Sequence, residues 1–340
     1  MKKRLLALAV LGTLAASSYA QSNVALFGVV DLGLERTNLS PGGATMRLSS
    51  GIQSGSRWGL KGTEDLGGGL SASFKLESGF DASTGAAGQG GLAFGRQAWV
   101  GLNGGFGSLK LGRQYTPIFG AIDTVDPFDA GITGDGSGIA AVFRSYGVRM
   151  NNTINYSTPT MGGFSAEVAY GLGEFPGSTS TGSQWGAAAN YANGPLTLIA
   201  AYHDQGLVTG GASNGNARTL MIGGVYDLTA VKLHAAFADN RDKNGTGAAT
   251  ARSRDYMVGV TVPVGAFALL AEYVRHNDTL VANADANYYQ VGATYDFSKR
   301  TNFYTSYSTI RNQAAGDAGG NTGVPGTNIS WLNVGIRHRF

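Results

Sequence analysis

From Val24 onward, apolar and polar residues alternate with a period of two. That period marks strands with one greasy and one wet face. Val24, Leu26, Val30, Leu32 and Leu34 share one face of the first segment, and Asp31 and Glu35 lie on the other. In the next, near Arg47–Lys61, Trp58 and Leu60 oppose Arg57, Gly59 and Lys61. Leu70, Ala72, Phe74 and Leu76 then oppose Ser71, Ser73, Lys75 and Glu77. The rhythm persists to the end, where Leu332, Val334, Ile336, His338 and Phe340 face away from Asn333, Gly335, Arg337 and Arg339. Each segment is about ten residues long, the length of a tilted membrane strand, and about sixteen of them fit the chain.

The gaps are of two kinds. Thr63–Gly68, Asn103–Phe106, Thr158–Gly162, Pro263–Gly265 and Ser298–Arg300 are tight. Others, including Asp81–Gly91, Gly206–Ala217 and Asp239–Ala251, are longer and mostly polar or small. Short turns at one end and long loops at the other are the habit of outer-membrane barrels. The pattern therefore predicts an all-β fold: a transmembrane antiparallel up-and-down β-barrel of sixteen strands. Closure is required, because an open edge would leave backbone groups unpaired in lipid. Alternation alone also fits a soluble barrel with its apolar side inward. Strand number decides between them, since sixteen strands enclose a lumen too wide for side chains to fill. Tyr156, Tyr170, Tyr191, Tyr202, Tyr226, Tyr273 and Tyr295 fall at strand ends or on apolar faces, as interfacial girdles require.

Composition changes the picture in three places. Lys2, Lys3 and Arg4 followed by apolar Leu5–Leu14 and Ser18-Tyr19-Ala20 read as a secretory signal over residues 1–20, cleaved after Ala20. The barrel domain then spans 21–340. Loss of that signal brings Lys plus Arg down to 22, equal to Asp plus Glu, so nothing points to a nucleic-acid partner. Cysteine is absent, which excludes a disulfide framework. Glycine is abundant, with 54 of 340 residues against a usual share of about 7 %.

One interval, Thr116–Ser145, breaks the alternation for longer than any other in the mature chain. It carries Ile118, Phe119, Ile122, Val125, Phe128 and Ile132, enough apolar residues to pack, and the acids Asp123, Asp126, Asp129 and Asp135. Loops of this length are commonly functional or disordered. This one is expected to fold into the barrel and narrow it. Lys61, Lys75 and Glu77 are expected on the lumen wall near its ends, and Arg113 beside the backbone of a loop. Enzymatic readings find little support. His203, His234, His276 and His338 lie on separate strands without metal-ligand spacing, and no Gly-x-Ser-x-Gly elbow occurs. No cofactor or metal is expected.

Longer stretches resemble the general porins of Gram-negative bacteria, specifically the trimeric β-proteobacterial type. They are VALFGVVDLGL (Val24–Leu34), SRWGLKGTEDLGGGL (Ser56–Leu70), RQAWVGLNGGFGSLKLGRQYTP (Arg96–Pro117), NNTINYSTPTMGGFSAEVAYGLGE (Asn151–Glu174), YDFSKRTNFYTSYS (Tyr295–Ser308) and VGIRHRF (Val334–Phe340). The resemblance implies a homotrimer in the outer membrane, in contact with lipid and lipopolysaccharide. It implies an inward-folded third external loop, here the Thr116–Ser145 interval with Asp126-Pro127-Phe128. It places arginines opposite that loop, at Arg57, Arg96 and Arg149. It makes Phe340 the terminal aromatic read by the outer-membrane assembly machinery. Small hydrophilic solutes and ions would diffuse passively, with radius and charged rings setting selectivity. Three wall arginines lean toward weak anion preference. The alternative is a substrate-specific channel or an adhesin working through loops such as Gly206–Ala217 and Asp239–Ala251.

Overall fold

The computed structural model describes residues 23–131, 147–318 and 323–340. Among them, seventeen antiparallel segments form one continuous sheet. In chain order they are β1 (Asn23–Ser40), β2 (Gly43–Ser50), β3 (Arg57–Gly67), β4 (Leu70–Gly79), β5 (Gln97–Gly104), β6 (Gly107–Tyr115), β7 (Arg149–Ser157), β8 (Phe164–Gly171) and β9 (Gln184–Asn193). Then come β10 (Leu196–Thr209), β11 (Ala212–Asp227), β12 (Lys232–Lys243), β13 (Ala249–Val264), β14 (Phe267–Asp278), β15 (Ala286–Asp296), β16 (Thr301–Asn312) and β17 (Asn328–Arg339). One helix, α1 (Pro117–Val125), comes directly after β6.

The sheet closes on itself where Val29–Ser40 of β1 pair with Asn328–Arg339 of β17. Phe340 extends that seam by exchanging backbone hydrogen bonds with Gly28 at 3.0 and 3.1 Å. On the other side of β1, the upper half pairs with β2 and the lower half with β3. Those two segments are thus halves of one stave, interrupted at Gly51–Ser56. The barrel has sixteen staves, as the alternation predicts.

Three expectations about the connections need correction. The segment near Arg47–Lys61 is broken by Gly51–Ser56, which leave the ladder. Gly206–Ala217 is mostly ladder, because β10 and β11 run on past it to a tight Gly210-Gly211 turn. Asp239–Ala251 shrinks likewise to Asn244–Ala248 between β12 and β13. The reason is common to the last two. Beyond the lipid both faces meet water, so alternation disappears while backbone pairing continues.

Between the membrane edges, the exposed face carries the greasy residues. Leu198, Leu220, Ile222, Val258, Leu269, Val291 and Val334 lie on it, among others. Four strands each hold two outward aromatics six residues apart: Phe164 and Tyr170, Trp185 and Tyr191, Phe267 and Tyr273, Tyr289 and Tyr295. Neighbouring strands bring them together, as in Phe164–Tyr191 at 4.4 Å, Phe267–Tyr295 at 4.5 Å and Tyr273–Tyr289 at 5.1 Å between ring centroids. Six residues span about 20 Å along a strand, so two aromatic rows bound an apolar band. Val291→Arg, inside that band, is expected to cost about 2–4 kcal/mol. Equilibrium unfolding of the barrel in lipid vesicles measures it.

The opposite face is largely polar, but buried apolar side chains line it from β9 to β17. Ala188, Ile199, Ala201, Met221 and Ala236 are buried there beneath α1. Helical spacing puts Ile118, Ala121, Ile122 and Val125 on one stripe, and that stripe covers them. Thr116 caps the helix, its hydroxyl accepting the Phe119 N–H at 3.2 Å, and Pro117 occupies the first turn. Glycines in the wall make room for the end of the helix and the turn after it. Side chains at Gly223, Gly259 and Gly292 would collide with Val125, Pro127 and Phe128 respectively.

Candidate functional site

Four of the expected cationic and anionic positions come together on one part of the polar face. Arg96, just before β5, donates through Nε to Glu77 Oε1 at 2.7 Å and through Nη2 to the Tyr115 hydroxyl at 2.7 Å. Arg149, at the start of β7, reaches the same hydroxyl at 3.4 Å and lies 4.9 Å over the Tyr115 ring. Arg57, at the start of β3, donates through Nη1 to Ser54 Oγ at 3.1 Å and to the Gly55 carbonyl at 2.9 Å. Glu77 is buried among these cations and is also paired with Lys75 at 2.7 Å.

The remaining wall residues lie around this group. Lys61 and Lys75 face each other across β3 and β4, 5.5 and 5.1 Å from the Phe27 ring. Arg113 donates to the carbonyl of Gly95, just before β5, at 2.8 Å and to the Asn151 side chain. Phe340 sits at the barrel seam, its ring over Gly28.

The loop acids divide. Asp123 and Asp129 are exposed, yet protein surrounds them closely enough that burial pushes both carboxyls up. Arg57 opposes that shift at Asp123; Arg337 and Arg339 oppose it at Asp129. Both acids therefore answer to arginines of the wall. Asp126 does not fit the expected lumen-facing role. It is 2 % exposed, and its carboxylate accepts the Phe128 and Ala130 N–H groups at 2.8 Å each. Its other neighbour is Glu272 of β14, itself 6 % exposed. Burial pushes Asp126 up to about 7, the two N–H groups opposing. Its work is to close the turn after α1, in which Asp129 and Ala130 take left-handed φ of 53° and 50°. Asp135 lies outside the described residues.

Some residues of the site were not singled out from sequence. Tyr115 joins Arg96 and Arg149 while stacking on Phe119 of α1 at 4.9 Å. Arg337 and Arg339 line a recess with Asp129, Asp296, Lys299 and Arg300. Their place on the wet face of the last strand was readable. Their proximity to the loop was not, because nothing in the local pattern encodes it.

A sheet closed on itself, greasy outside and charged within, is a fold many solutes could use. A family model described as Gram-negative porin matches residues 7–315. The chain belongs to the Gram-negative porins. This porin is therefore a passive-diffusion channel of the outer membrane, in a family of channels rather than enzymes. It is 33 % identical over 360 aligned positions to outer membrane porin protein 32 of Delftia acidovorans, with both chains fully covered. An outer membrane porin protein of Bordetella pertussis is 32 % identical over 397 positions, again with both fully covered. Among solved structures, an anion-selective porin from Comamonas acidovorans superposes with a TM-score of 0.83 at 31 % identity, covering 94 % of this porin and 100 % of that chain. A Salmonella typhi OmpF complex matches at a TM-score of 0.70 and 20 % identity, which speaks to the fold alone.

Proposed function

We propose that Thr116–Gly131 folds inward and narrows the channel to a constriction with opposite charges on its two sides. Arg57, Arg96 and Arg149, with Arg337 and Arg339, form the cationic side; Asp123 and Asp129 form the anionic one. The single observation that carries this reading is the seating of α1. It lies across the inner faces of the wall from β8 to β12, with its apolar stripe buried against Ala188, Ile199, Ala201, Met221 and Ala236. The field between the two sides orients polar solutes and favours the ion attracted to the more numerous charge. Arginines outnumber the exposed acids, so the channel prefers anions weakly. The anion-selective Comamonas relative supports that sign.

The mature porin assembles as a homotrimer after signal cleavage at Ala20. Its girdles sit among lipid and lipopolysaccharide, and Phe340 is presented to the assembly machinery. The ladder extensions that consume Gly206–Ala217 leave little free loop for an adhesin or a dedicated external receptor. Liposome swelling with sugars of increasing size tests the general pore. A smooth decline of rate with size is expected. Saturation by one sugar at rates unrelated to size would replace this reading with a substrate-specific channel.

A further inference from the structure

The break between β2 and β3 is more than a flaw in the ladder. Gly51 N–H donates to the Asp31 carbonyl at 2.9 Å, and the Ser56 hydroxyl both donates to that carbonyl and accepts from the Asp31 N–H, each at 3.1 Å. The turn is thus pinned at both feet to one residue of β1. Its crest is pinned to the same residue's side chain. The Asp31 carboxylate accepts the N–H groups of Gln53 and Ser54 at 2.9 and 2.6 Å through Oδ2, and the Tyr304 hydroxyl at 2.5 Å through Oδ1. Asp31 is fully buried.

The crest touches the charged machinery at four points. Ser54 and Gly55 receive Nη1 of Arg57. Gly55 lies under Arg96, whose Nη1 would be 2.9 Å from a Cβ added there. Gln53 accepts from Asn302 at 2.8 Å, and Asn302 accepts from Arg337 Nε at 3.0 Å. Gly131, closing the loop, lies so near the Gln53 carbonyl that a Cβ there would stand 2.2 Å away. Like charges do not gather unaided, and guanidiniums with free rotamers would spread apart.

We propose that Gly51–Ser56 is a rack that fixes the spacing of Arg57, Arg96 and Arg337, and that Asp31 is the positioning residue that holds the rack. Ion preference then depends on a residue that touches no permeating ion. The proposal rests on the reading of these arginines as selectivity groups, and the experiment separates the two.

Zero-current potentials are measured across a planar bilayer in a KCl gradient for the wild-type porin, Arg57→Ser, Gly55→Ala and Asp31→Asn. Heat-modifiable migration on gels confirms that each barrel is folded. Gly55→Ala displaces the Arg96 end group without changing any charge. Asp31→Asn leaves one acceptor oxygen where the rack uses two. Both are expected to lower the chloride-to-potassium permeability ratio by about twofold. The direction is diagnostic for Asp31→Asn. Mere loss of a negative charge beside arginines would raise anion preference, whereas loss of the rack lowers it. A raised ratio in Asp31→Asn overturns the proposal, as does an unchanged ratio in Gly55→Ala while Arg57→Ser lowers it. An unchanged ratio in Arg57→Ser overturns the selectivity reading itself and the rack with it. Should Asp31→Asn not fold, Gly55→Ala carries the test alone.

Discussion

Replacing Arg57, Arg96 and Arg149 together by serine abolishes the anion preference, and the zero-current potential in a KCl gradient falls toward zero. Three cations leave the wall, and Arg337 and Arg339 are left to balance Asp123 and Asp129 on the loop. Two unit charges 4 Å apart interact by about 4 kcal/mol at an effective dielectric constant near 20, and less where water fills the space. A permeability shift on the order of tenfold needs only about 1.4 kcal/mol, well inside that range. The barrel should survive the change. Glu77 loses Arg96 but keeps Lys75 at 2.7 Å, so no buried carboxylate is stranded. Arg57→Lys, by contrast, keeps the charge and loses the double contact of Nη1 with Ser54 and Gly55. It should therefore shift the potential far less.

The second large effect is on pH dependence. Asp126 fixes the turn after α1 and meets Glu272 on the wall. Burial raises its carboxyl from 3.8 to about 7, with the Asp129 charge adding to the rise and the Phe128 and Ala130 N–H groups opposing it. The docked carboxyl holds its proton more tightly than a free one. The docked state therefore binds more protons between about pH 4 and about pH 7, and docking weakens as pH climbs through that interval. Below it both states are protonated and docking is at full strength; above it the loss is complete. The span corresponds to a few kcal/mol, on the order of 1.4 per pH unit. Open-channel noise and voltage-induced closure are expected to grow from pH 4 to pH 8 in the wild type. In Asp126→Asn, which removes this carboxyl and leaves Glu272 as the ionisable partner on the wall, that growth should be markedly smaller. Equal pH dependence in the two proteins would remove Asp126 from the account.

Much of the barrel was legible because lipid imposes a strict period. Leu70, Ala72, Phe74 and Leu76 must face one way if Ser71, Ser73, Lys75 and Glu77 face water, so a strand can be drawn without a structure. Outside the lipid that constraint lapses. This is why Gly206–Ala217 reads as loop though it pairs as ladder. The gap at Gly51–Ser56 lies level with Asp31 and hides inside an apparent strand because Trp58 and Leu60 resume the alternation directly after it. The site was legible by residue type and not by direction. Asp123, Asp126 and Asp129 look alike in sequence. Helical spacing and the turn's own hydrogen bonds send Asp126 into the wall, and its partner Glu272 lies on a distant strand. Tyr115 gave no signal at all, since a tyrosine at a strand end is as readily a girdle residue as a clamp for two arginines.

The measurement that bears most directly on the whole account is single-channel conductance of the mature protein refolded into a planar bilayer. A water column enclosed by outward-facing apolar staves predicts discrete, long-lived steps whose size scales in proportion to the conductivity of the bathing salt. Absence of steps from folded, inserted protein, or steps that saturate at low salt, would contradict it.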